Sequence, residues 1–159
     1  MNNPAEEIIN IMREKKLTLG TVESATGGLI AHLITNVPGS SDVFLGSIIS
    51  YSNDVKRKII GVRELTLKEY GAVSAQVAMA MVKGGRKLLG VDICISDTGI
   101  AGPGGATPGK PVGLFYLGLA HQDGTFSRKH LFKGTRAENK QQATEFALLW
   151  VKEYLVSLK

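Results

Sequence analysis

Residues 91–116 read Val-Asp-Ile-Cys-Ile-Ser-Asp-Thr-Gly-Ile-Ala-Gly-Pro-Gly-Gly-Ala-Thr-Pro-Gly-Lys-Pro-Val-Gly-Leu-Phe-Tyr, and this stretch decides the fold. It opens with a nearly continuous apolar run, residues 91–96, which is typical of a strand buried on both faces of a sheet. Residues 99–113 are rich in glycine and proline, and glycine lets backbone N–H groups approach a ligand closely. The sequence therefore predicts a buried strand whose carboxyl end carries an anion-binding loop.

Part of this loop resembles the phosphate-binding loop of nucleotide triphosphatases. Residues 104–110 match the pattern G-x-x-x-x-G-K, but the next residue is Pro111, which has no hydroxyl group for Mg²⁺. Residues 112–116 have the pattern of a strand, whereas a phosphate-binding loop is followed by a helix. These two differences exclude ATP or GTP hydrolysis at this loop.

Helical and strand-like segments alternate along the rest of the chain. Helices are predicted at residues 4–16, 24–36, 53–61, 74–89 and 136–158. Strands are predicted at residues 17–23, 43–51, 91–96, 112–120 and 125–133, and the Asp-Gly pair between the last two indicates a hairpin. We expect the fold class α/β: a three-layer α/β/α domain over residues 1–159, with a mixed, mostly parallel sheet of about five strands.

Composition favours a small cytoplasmic protein. The chain has 159 residues, enough for one domain with its own core. No stretch approaches the roughly 20 apolar residues that span a bilayer, and the first residues lack the order of a signal peptide. The single cysteine, Cys94, lies in an apolar run and is interpreted as a buried small side chain rather than a catalytic thiol.

Charge and histidine spacing restrict the ligands. The net charge is +5, and its basic clusters, residues 56–58 and 128–130, suit a small anionic ligand. His32, His121 and His130 are far apart and form no metal-binding motif, so a metal site has no local support. We also expect no cofactor. No basic run is interleaved with aromatic residues, so nucleic acid is the weakest candidate partner.

Ser24 is the first candidate nucleophile. It follows a predicted strand and precedes a predicted helix, where backbone N–H groups favour developing negative charge. The alternative is that Ser24 or Thr26 only caps the helix, while Gly27 and Gly28 allow close packing.

Lys56 is the candidate base, because a lysine removed from water can lose its proton near neutral pH and accept one from a hydroxyl group. The alternative is an exposed helix lysine, which is the usual case. Tyr51 and Ser41 are candidates to relay a proton or orient the pair, or else they only pack locally. Thr98 offers a hydroxyl group beside the glycine-rich loop, where it is otherwise an ordinary loop residue.

Taken together, several motifs resemble the CinA C-terminal domain family, in the family's order and over nearly the whole chain. They are Glu23-Ser24-Ala25-Thr26-Gly27-Gly28, Val37-Pro38-Gly39-Ser40-Ser41, Tyr51-Ser52-Asn53 with Lys56, Gly71-Ala72-Val73-Ser74, and residues 98–113. Any one motif is weak evidence, but the combination is specific. The resemblance is to the stand-alone, PncC-like nicotinamide-nucleotide amidases of that family.

The resemblance implies a fold of the anticodon-binding-domain type, a homo-oligomer, and deamidation of nicotinamide mononucleotide to nicotinate mononucleotide and ammonia by a serine-lysine mechanism without metal. It also implies that the partner is a small pyridine nucleotide and not a membrane. The implied catalytic residues are Ser24, Lys56 and Tyr51. The expected substrate-binding residues are Ser41, Thr26, Gly27, Gly28, Thr98, Gly99, Gly102, Gly104, Gly105, Lys110 and Arg136.

The chain departs from the family's pattern at four places. Ala25 replaces the usual cysteine, Ser47 the second of two glycines, Thr135 an aspartate and Lys140 an arginine. The last two change how an anion is held, because Lys140 offers a point charge where arginine offers a planar pair of donors. An alternative therefore stays open: a catalytically inactive module of the same fold that binds nucleotides or a partner.

Overall fold

One five-stranded sheet organises the protein, of which the computed structural model describes residues 3–158. The strands are β1 (Leu19–Glu23), β2 (Phe44–Ile49), β3 (Ile93–Gly99), β4 (Leu114–His121) and β5 (Gly124–Leu131). Their order across the sheet is β2-β1-β3-β4-β5. The pairs β1–β2 and β1–β3 are parallel, and β4 is antiparallel to both of its neighbours. Four strands therefore point the same way, and β4 alone runs against them.

Six helices accompany the sheet in the described residues. They are α1 (Pro4–Lys15), α2 (Leu29–Thr35), α3 (Asn53–Val55), α4 (Glu64–Tyr70), α5 (Ala75–Leu89) and α6 (Arg136–Ser157), with a 3-10 turn at Ser40–Asp42 and a π-helical turn at Lys56–Ile60. α5 packs across all five strands on one face, while α2 and α6 contact strands on the other face and pack with α1. This arrangement confirms the predicted α/β class with helices on both sides of a mixed sheet.

Alternating strand residues feed two separate cores. Leu19 of β1 and Ile95 of β3 join the core beneath α1, α2 and α6, which also contains Trp150. Val22 and Cys94, their alternates on the same strands, join the core beneath α5. Side chains on a strand point to opposite faces in turn, so each central strand supports both layers.

Two differences from the predicted elements have clear causes. The helix expected from residue 24 begins only at Leu29, because residues 24–28 form a turn that is bound by buried carboxylates. α4 was not predicted, and none of its residues is buried, so it has no apolar stripe to signal a helix.

Two more findings concern the expected environment of the chain. Burial raises the pKa of the Cys94 thiol to about 12, as befits an inert core side chain. Within residues 3–158, no helix combines the length and apolarity that crossing a bilayer demands.

Candidate active site

The carboxyl ends of β1, β2 and β3 meet at one edge of the sheet, and a cavity of about 290 Å³ lies there. Such edges are where α/β proteins commonly hold ligands. The cavity is lined by Ser24, Ala25, Tyr51, Asn53, Lys56, Ala72, Val73, Thr98, Gly99, Ile100, Ala101, Gly102, Gly104, Gly105 and Arg136. The structure thus brings together the two residues that the sequence singled out as nucleophile and base.

Lys56 and Ser24 are in direct contact. The Nζ atom of Lys56 lies 2.9 Å from the Oγ atom of Ser24, and the lysine side chain is only 1% exposed. Ser52 caps α3 by accepting a hydrogen bond from the Val55 amide, and the following π-helical turn begins at Lys56. Lys56 is therefore not the exposed helix lysine that the alternative interpretation required.

The contacts of Lys56 suit both protonation states of its amine. Its Nζ atom donates to the carbonyl oxygens of Ser50, at 2.7 Å, and Tyr51, at 3.2 Å. An ammonium group also donates to Ser24 Oγ, whereas a neutral amine keeps two N–H groups for these carbonyls and a lone pair that can accept the Ser24 hydroxyl proton. Burial lowers the pKa of Lys56 to about 8, against the opposing effect of the Asp97 charge. Near neutral pH, a useful fraction of Lys56 is thus a free base.

The Ser24 turn differs from the expected anion-binding turn. The Ser24 and Thr26 amides donate to Asp97, the Gly27 amide donates to the Ser24 carbonyl, and the Gly28 amide donates to Glu23. Within the described residues, only the Ala25 amide in this turn makes no hydrogen bond. One backbone donor in the turn, rather than several, is therefore left for a developing oxyanion.

Thr26, Gly27 and Gly28, expected to bind substrate, do not line the cavity. The Thr26 hydroxyl group lies 2.5 Å from Asp97 Oδ1 and 2.7 Å from Glu23 Oε1, so protein groups already occupy it. The amides at the start of α2 are also taken, because Glu23 accepts hydrogen bonds from Ile30 and Ala31. These groups buttress the turn instead of contacting a ligand.

The glycine-rich loop, residues 99–113, forms one wall of the cavity. The Ile100 amide donates to the Leu114 carbonyl and the Gly113 amide to the Ile100 carbonyl, which closes the base of the loop. Two side chains of α6 hold it from outside: Asn139 donates to the Ala101 carbonyl at 3.0 Å, and Arg136 donates to the Gly102 carbonyl at 2.8 Å. The first turn of α6 therefore sets the position of the loop.

Arg136, Tyr51 and Thr98 occupy three different places around the cavity. Arg136 Nη2 donates to the Tyr51 hydroxyl group at 3.1 Å, which ties α6 to the end of β2. Tyr51 is 62% exposed and stands at the rim. Thr98 is buried, and its hydroxyl group donates to the Ala72 carbonyl, so it holds one wall and is not free for a ligand.

Two expected site residues lie away from the cavity. Ser41 is exposed in the 3-10 turn that precedes β2, at the opposite edge of the sheet from Ser24. Lys110 donates from Nζ to the Tyr70 carbonyl at 2.5 Å and does not line the cavity. Spacing along the chain did not reveal that Ser41 precedes β2 rather than following it, or that a distant carbonyl holds Lys110.

Sequence reasoning missed two kinds of site residue. Asn53, Ala72 and Val73 line the cavity, and a polar residue three positions before Lys56 was a usable signal for the first of them. Asp97 and Glu23 are fully buried behind Ser24. Each is an acidic residue at the end of a buried strand, and buried carboxylates need partners, so both were detectable in principle.

The structure accounts for three of the departures from the family's pattern. Thr135 is the N-cap of α6, and Glu138 completes a capping box with it. The threonine hydroxyl group therefore caps the helix, a role that an aspartate can also fill. Ser47 donates to Glu23 at 3.2 Å and thus joins the buried polar network. Ala25 lines the cavity and packs in a small apolar cluster with Ala101 and Phe115, where a small side chain fits.

Charges at the cavity favour an anionic ligand. Its lining includes Lys56 and Arg136 but no carboxylate. In the described part of the chain, no three acidic, cysteine or histidine side chains are grouped as metal ligands would be. The arrangement can activate a serine hydroxyl group next to a site for a negatively charged substrate.

Comparison with known proteins shows the same fold and family. The CinA C-terminal domain model matches residues 1–155. A putative competence-damage inducible protein of Moorella thermoacetica is 51% identical over 142 residues, which are 88% of this chain and 34% of the relative. A CinA-like protein of Thermotoga maritima is 42% identical over 150 residues, 94% of this chain and 36% of the relative. The chain thus spans about a third of these relatives' length.

Two crystal structures match over nearly their full length. A competence-damaged protein (CinA) superfamily protein from Klebsiella pneumoniae superposes with a TM-score of 0.94 at 26% identity, over 98% of this chain and 99% of that chain. The competence/damage inducible protein CihA from Agrobacterium tumefaciens gives a TM-score of 0.89 at 33% identity, over 99% of this chain and 98% of that chain.

Proposed function

Because the chain belongs to the CinA C-terminal domain family, we propose that it is an amidohydrolase that converts nicotinamide mononucleotide to nicotinate mononucleotide and ammonia. The observation that carries the proposal is the buried contact of 2.9 Å between Lys56 Nζ and Ser24 Oγ. A lysine whose pKa is lowered to about 8 is a competent base for a serine nucleophile. The choice of substrate rests on the resemblance of the site motifs to nicotinamide-nucleotide amidases.

In the first half of the reaction, Ser24 Oγ attacks the carboxamide carbon while Lys56 takes the hydroxyl proton. The Ala25 amide donates to the oxyanion of the tetrahedral intermediate. Lys56 then returns the proton to the leaving nitrogen, the C–N bond breaks, and ammonia leaves an acyl ester on Ser24. The Ser50 and Tyr51 carbonyls accept hydrogen bonds from Lys56 throughout, so its position does not depend on its protonation state.

In the second half, a water molecule attacks the ester carbon and Lys56 again accepts a proton. The ester bond breaks, Ser24 regains its proton from Lys56, and the carboxylate product carries the oxygen of that water. One amide bond and one water molecule are thus consumed for each ammonia released, and no other reactant is needed.

The phosphate group of the nucleotide would bind at Arg136. This guanidinium group has five N–H donors, and two of them are fixed by the Gly102 carbonyl and the Tyr51 hydroxyl group. The remaining donors can hold a phosphate at the cavity rim with little loss of side-chain freedom, because the side chain is already positioned. Asn53 lines the same cavity and can orient the carboxamide by hydrogen bonding.

The decisive experiment is ammonia release from nicotinamide mononucleotide by the purified chain, beside Ser24→Ala and Lys56→Met variants and with a chelator present. We expect turnover that resists the chelator and falls by roughly 10³-fold or more in either variant. Calorimetric binding of the nucleotide is measured in parallel. Binding without ammonia release by the unaltered chain would reject the amidase and favour the inactive nucleotide-binding module.

A further inference from the structure

Asp97 is a fully buried carboxylate directly behind the proposed nucleophile. Its two oxygens accept hydrogen bonds from the Ser24 amide at 3.0 Å and the Thr26 amide at 3.1 Å. These amides stand on either side of the Ala25 amide, which has no partner within the described residues. Asp97 therefore fixes the backbone of the nucleophile. The Ala25 amide, which makes no hydrogen bond in the part of the chain that the structure describes, lies between two amides that donate to Asp97.

A second link joins Asp97 to the rest of the buried network. The Thr26 hydroxyl group lies within hydrogen-bond distance of both Asp97 and Glu23. Glu23 in turn accepts hydrogen bonds from amides at the start of α2, including that of Ile30 at 2.9 Å. Asp97 is thus held on β3 by its own strand and tied through Thr26 to β1 and α2, so it has little freedom to move.

We propose that Asp97 is a positioning residue for the Ser24–Lys56 pair, which it controls both by holding the Ser24 turn and by placing a negative charge close to Lys56. The inference rests on the serine-lysine pair of the proposed function. It goes beyond the pair, because no sequence motif pointed to Asp97 and its side chain does not line the cavity.

The charge of Asp97 opposes the effect of burial on the pKa of Lys56. Burial favours the free amine, whereas the Asp97 charge favours the ammonium form and raises the lysine's pKa. Burial raises the pKa of Asp97 itself to about 6, so the carboxyl group is ionised over the range in which Lys56 loses its proton. The other charged or titratable groups around the pair are Glu23 on β1, Tyr51 after β2 and Arg136 on α6.

Asp97→Asn tests the proposal by a measurement that needs no turnover. The pKa of Lys56 is read from ¹H–¹³C spectra of the chain labelled at lysine Cε, with its signal assigned by its absence in Lys56→Met. We expect the pKa of Lys56 to fall by roughly one unit in Asp97→Asn, because the opposing charge is gone. An unchanged or higher pKa of Lys56 would overturn the electrostatic part of the proposal.

Ser96→Ala is the matched control for loss of a buried polar contact on β3. The Ser96 hydroxyl group donates to the Ala78 carbonyl on the other face of the sheet, at 2.8 Å. We expect this variant to lose stability without a change in the pKa of Lys56. A similar fall in the pKa of Lys56 in both variants would mean that Asp97 acts only through general loosening of the strand.

Turnover supplies the positioning readout. In Asp97→Asn, one of the two amides faces an NH₂ group, so kcat should fall on the order of 10- to 100-fold while KM stays within about twofold. An unchanged kcat would overturn the positioning part. If the unaltered chain releases ammonia but the pKa of Lys56 is the same in Asp97→Asn, the electrostatic part is rejected and the amidase is kept. If the pKa of Lys56 shifts in Asp97→Asn but the unaltered chain releases no ammonia, the amidase is rejected and the electrostatic part is kept.

A second pair of variants serves if Asp97→Asn does not fold. Thr26→Val removes the hydroxyl group that favours the ionised form of Asp97, whereas Thr26→Ser keeps it. We expect the pKa of Lys56 to fall in Thr26→Val and to stay at the level of the unaltered chain in Thr26→Ser. Equal pKa values of Lys56 in the two variants would overturn the electrostatic part of the proposal.

Discussion

Two glycine-rich segments border the cavity, the turn at residues 24–28 and the loop at residues 99–113, and they treat their backbone donors in opposite ways. In the turn, the buried carboxylates of Asp97 and Glu23 take the amides of Ser24, Thr26 and Gly28. In the loop, side chains of α6 hold carbonyl oxygens instead, and Gly104 and Gly105 remain exposed at the cavity wall.

The difference shows what glycine does and does not provide. Glycine permits the backbone to turn, as at Gly28, whose φ is +105°. Glycine does not ensure that the amide is available to a ligand, because the amide can already donate its hydrogen bond to a buried carboxylate of the protein. In this protein the positive charge at the cavity that is independent of the protonation state of Lys56 belongs to Arg136, which lies outside both segments.

Lys56→Met is the variant for which we expect the largest effect on ammonia release. It keeps the bulk of a fully buried side chain but removes the base, so we expect kcat for ammonia release to fall by roughly 10³-fold or more. Lys58→Met is the control, because Lys58 is exposed on the same helical turn and pairs with Asp54 at 2.8 Å. Activity retained in Lys56→Met, or lost equally in both variants, would contradict the assignment of the base.

The buried lysine also predicts how stability depends on pH. Its pKa is about 8 in the folded chain and 10.5 when unperturbed, so the unfolded state binds more protons between these two values. The free energy of unfolding of the unaltered chain should therefore rise, relative to Lys56→Met, from pH 8 to pH 10.5. The gain is at most roughly 3 to 4 kcal/mol, at about 1.4 kcal/mol for each pKa unit. Urea unfolding across this range measures it, and a flat difference would contradict the lowered pKa.

The sequence predicted the layers of the fold because periodicity reports burial directly. The run at residues 91–96 indicated the central strand, and the Asp123-Gly124 pair indicated the hairpin that makes β4 the antiparallel strand. The sequence did not predict α4, because this helix buries no residue and therefore has no periodic pattern of apolar residues. Apolar residues on a helix are not always buried, however: Phe146 and Leu149 of α6 are each more than 40% exposed.

The candidate site was less accessible to prediction. The sequence indicated Ser24 and Lys56 separately, but only the folded chain shows that Ser50 and Tyr51 carbonyls enclose the amine. Hydrogen bonds between distant segments, such as the one that occupies Lys110, follow from tertiary packing and leave no mark in local spacing. The catalytic and binding roles of these residues stay predictions until activity is measured.

Arg136→Ala tests whether the loop side of the cavity binds the phosphate. We expect KM for nicotinamide mononucleotide to rise roughly 10- to 100-fold with kcat changed only a few-fold, because a group remote from the carboxamide binds ground state and transition state alike. Lys110→Ala is the control, since Lys110 lies on the Tyr70 carbonyl outside the cavity. If Lys110→Ala raises KM as much as Arg136→Ala does, the loop holds the anion in a way that the structure does not show.

We expect the smallest effect from alanine substitutions at two adjacent glycines of the loop, which should differ in their free energy of unfolding. Gly105 has a φ of +92°, and an added Cβ atom would lie 3.4 Å from the Ile100 side chain, whereas a Cβ atom at Gly104 meets nothing within 4 Å. Gly105→Ala should therefore lower the free energy of unfolding by about 1 kcal/mol, because a positive φ is unfavourable for alanine. Gly104→Ala should stay within about 0.5 kcal/mol of the unaltered chain. Urea unfolding compares them, and the KM of each variant then shows whether the loop backbone itself contacts the substrate. Equal stabilities would mean that the loop relaxes freely around Gly105, in which case its rigidity cannot explain how the cavity wall is held.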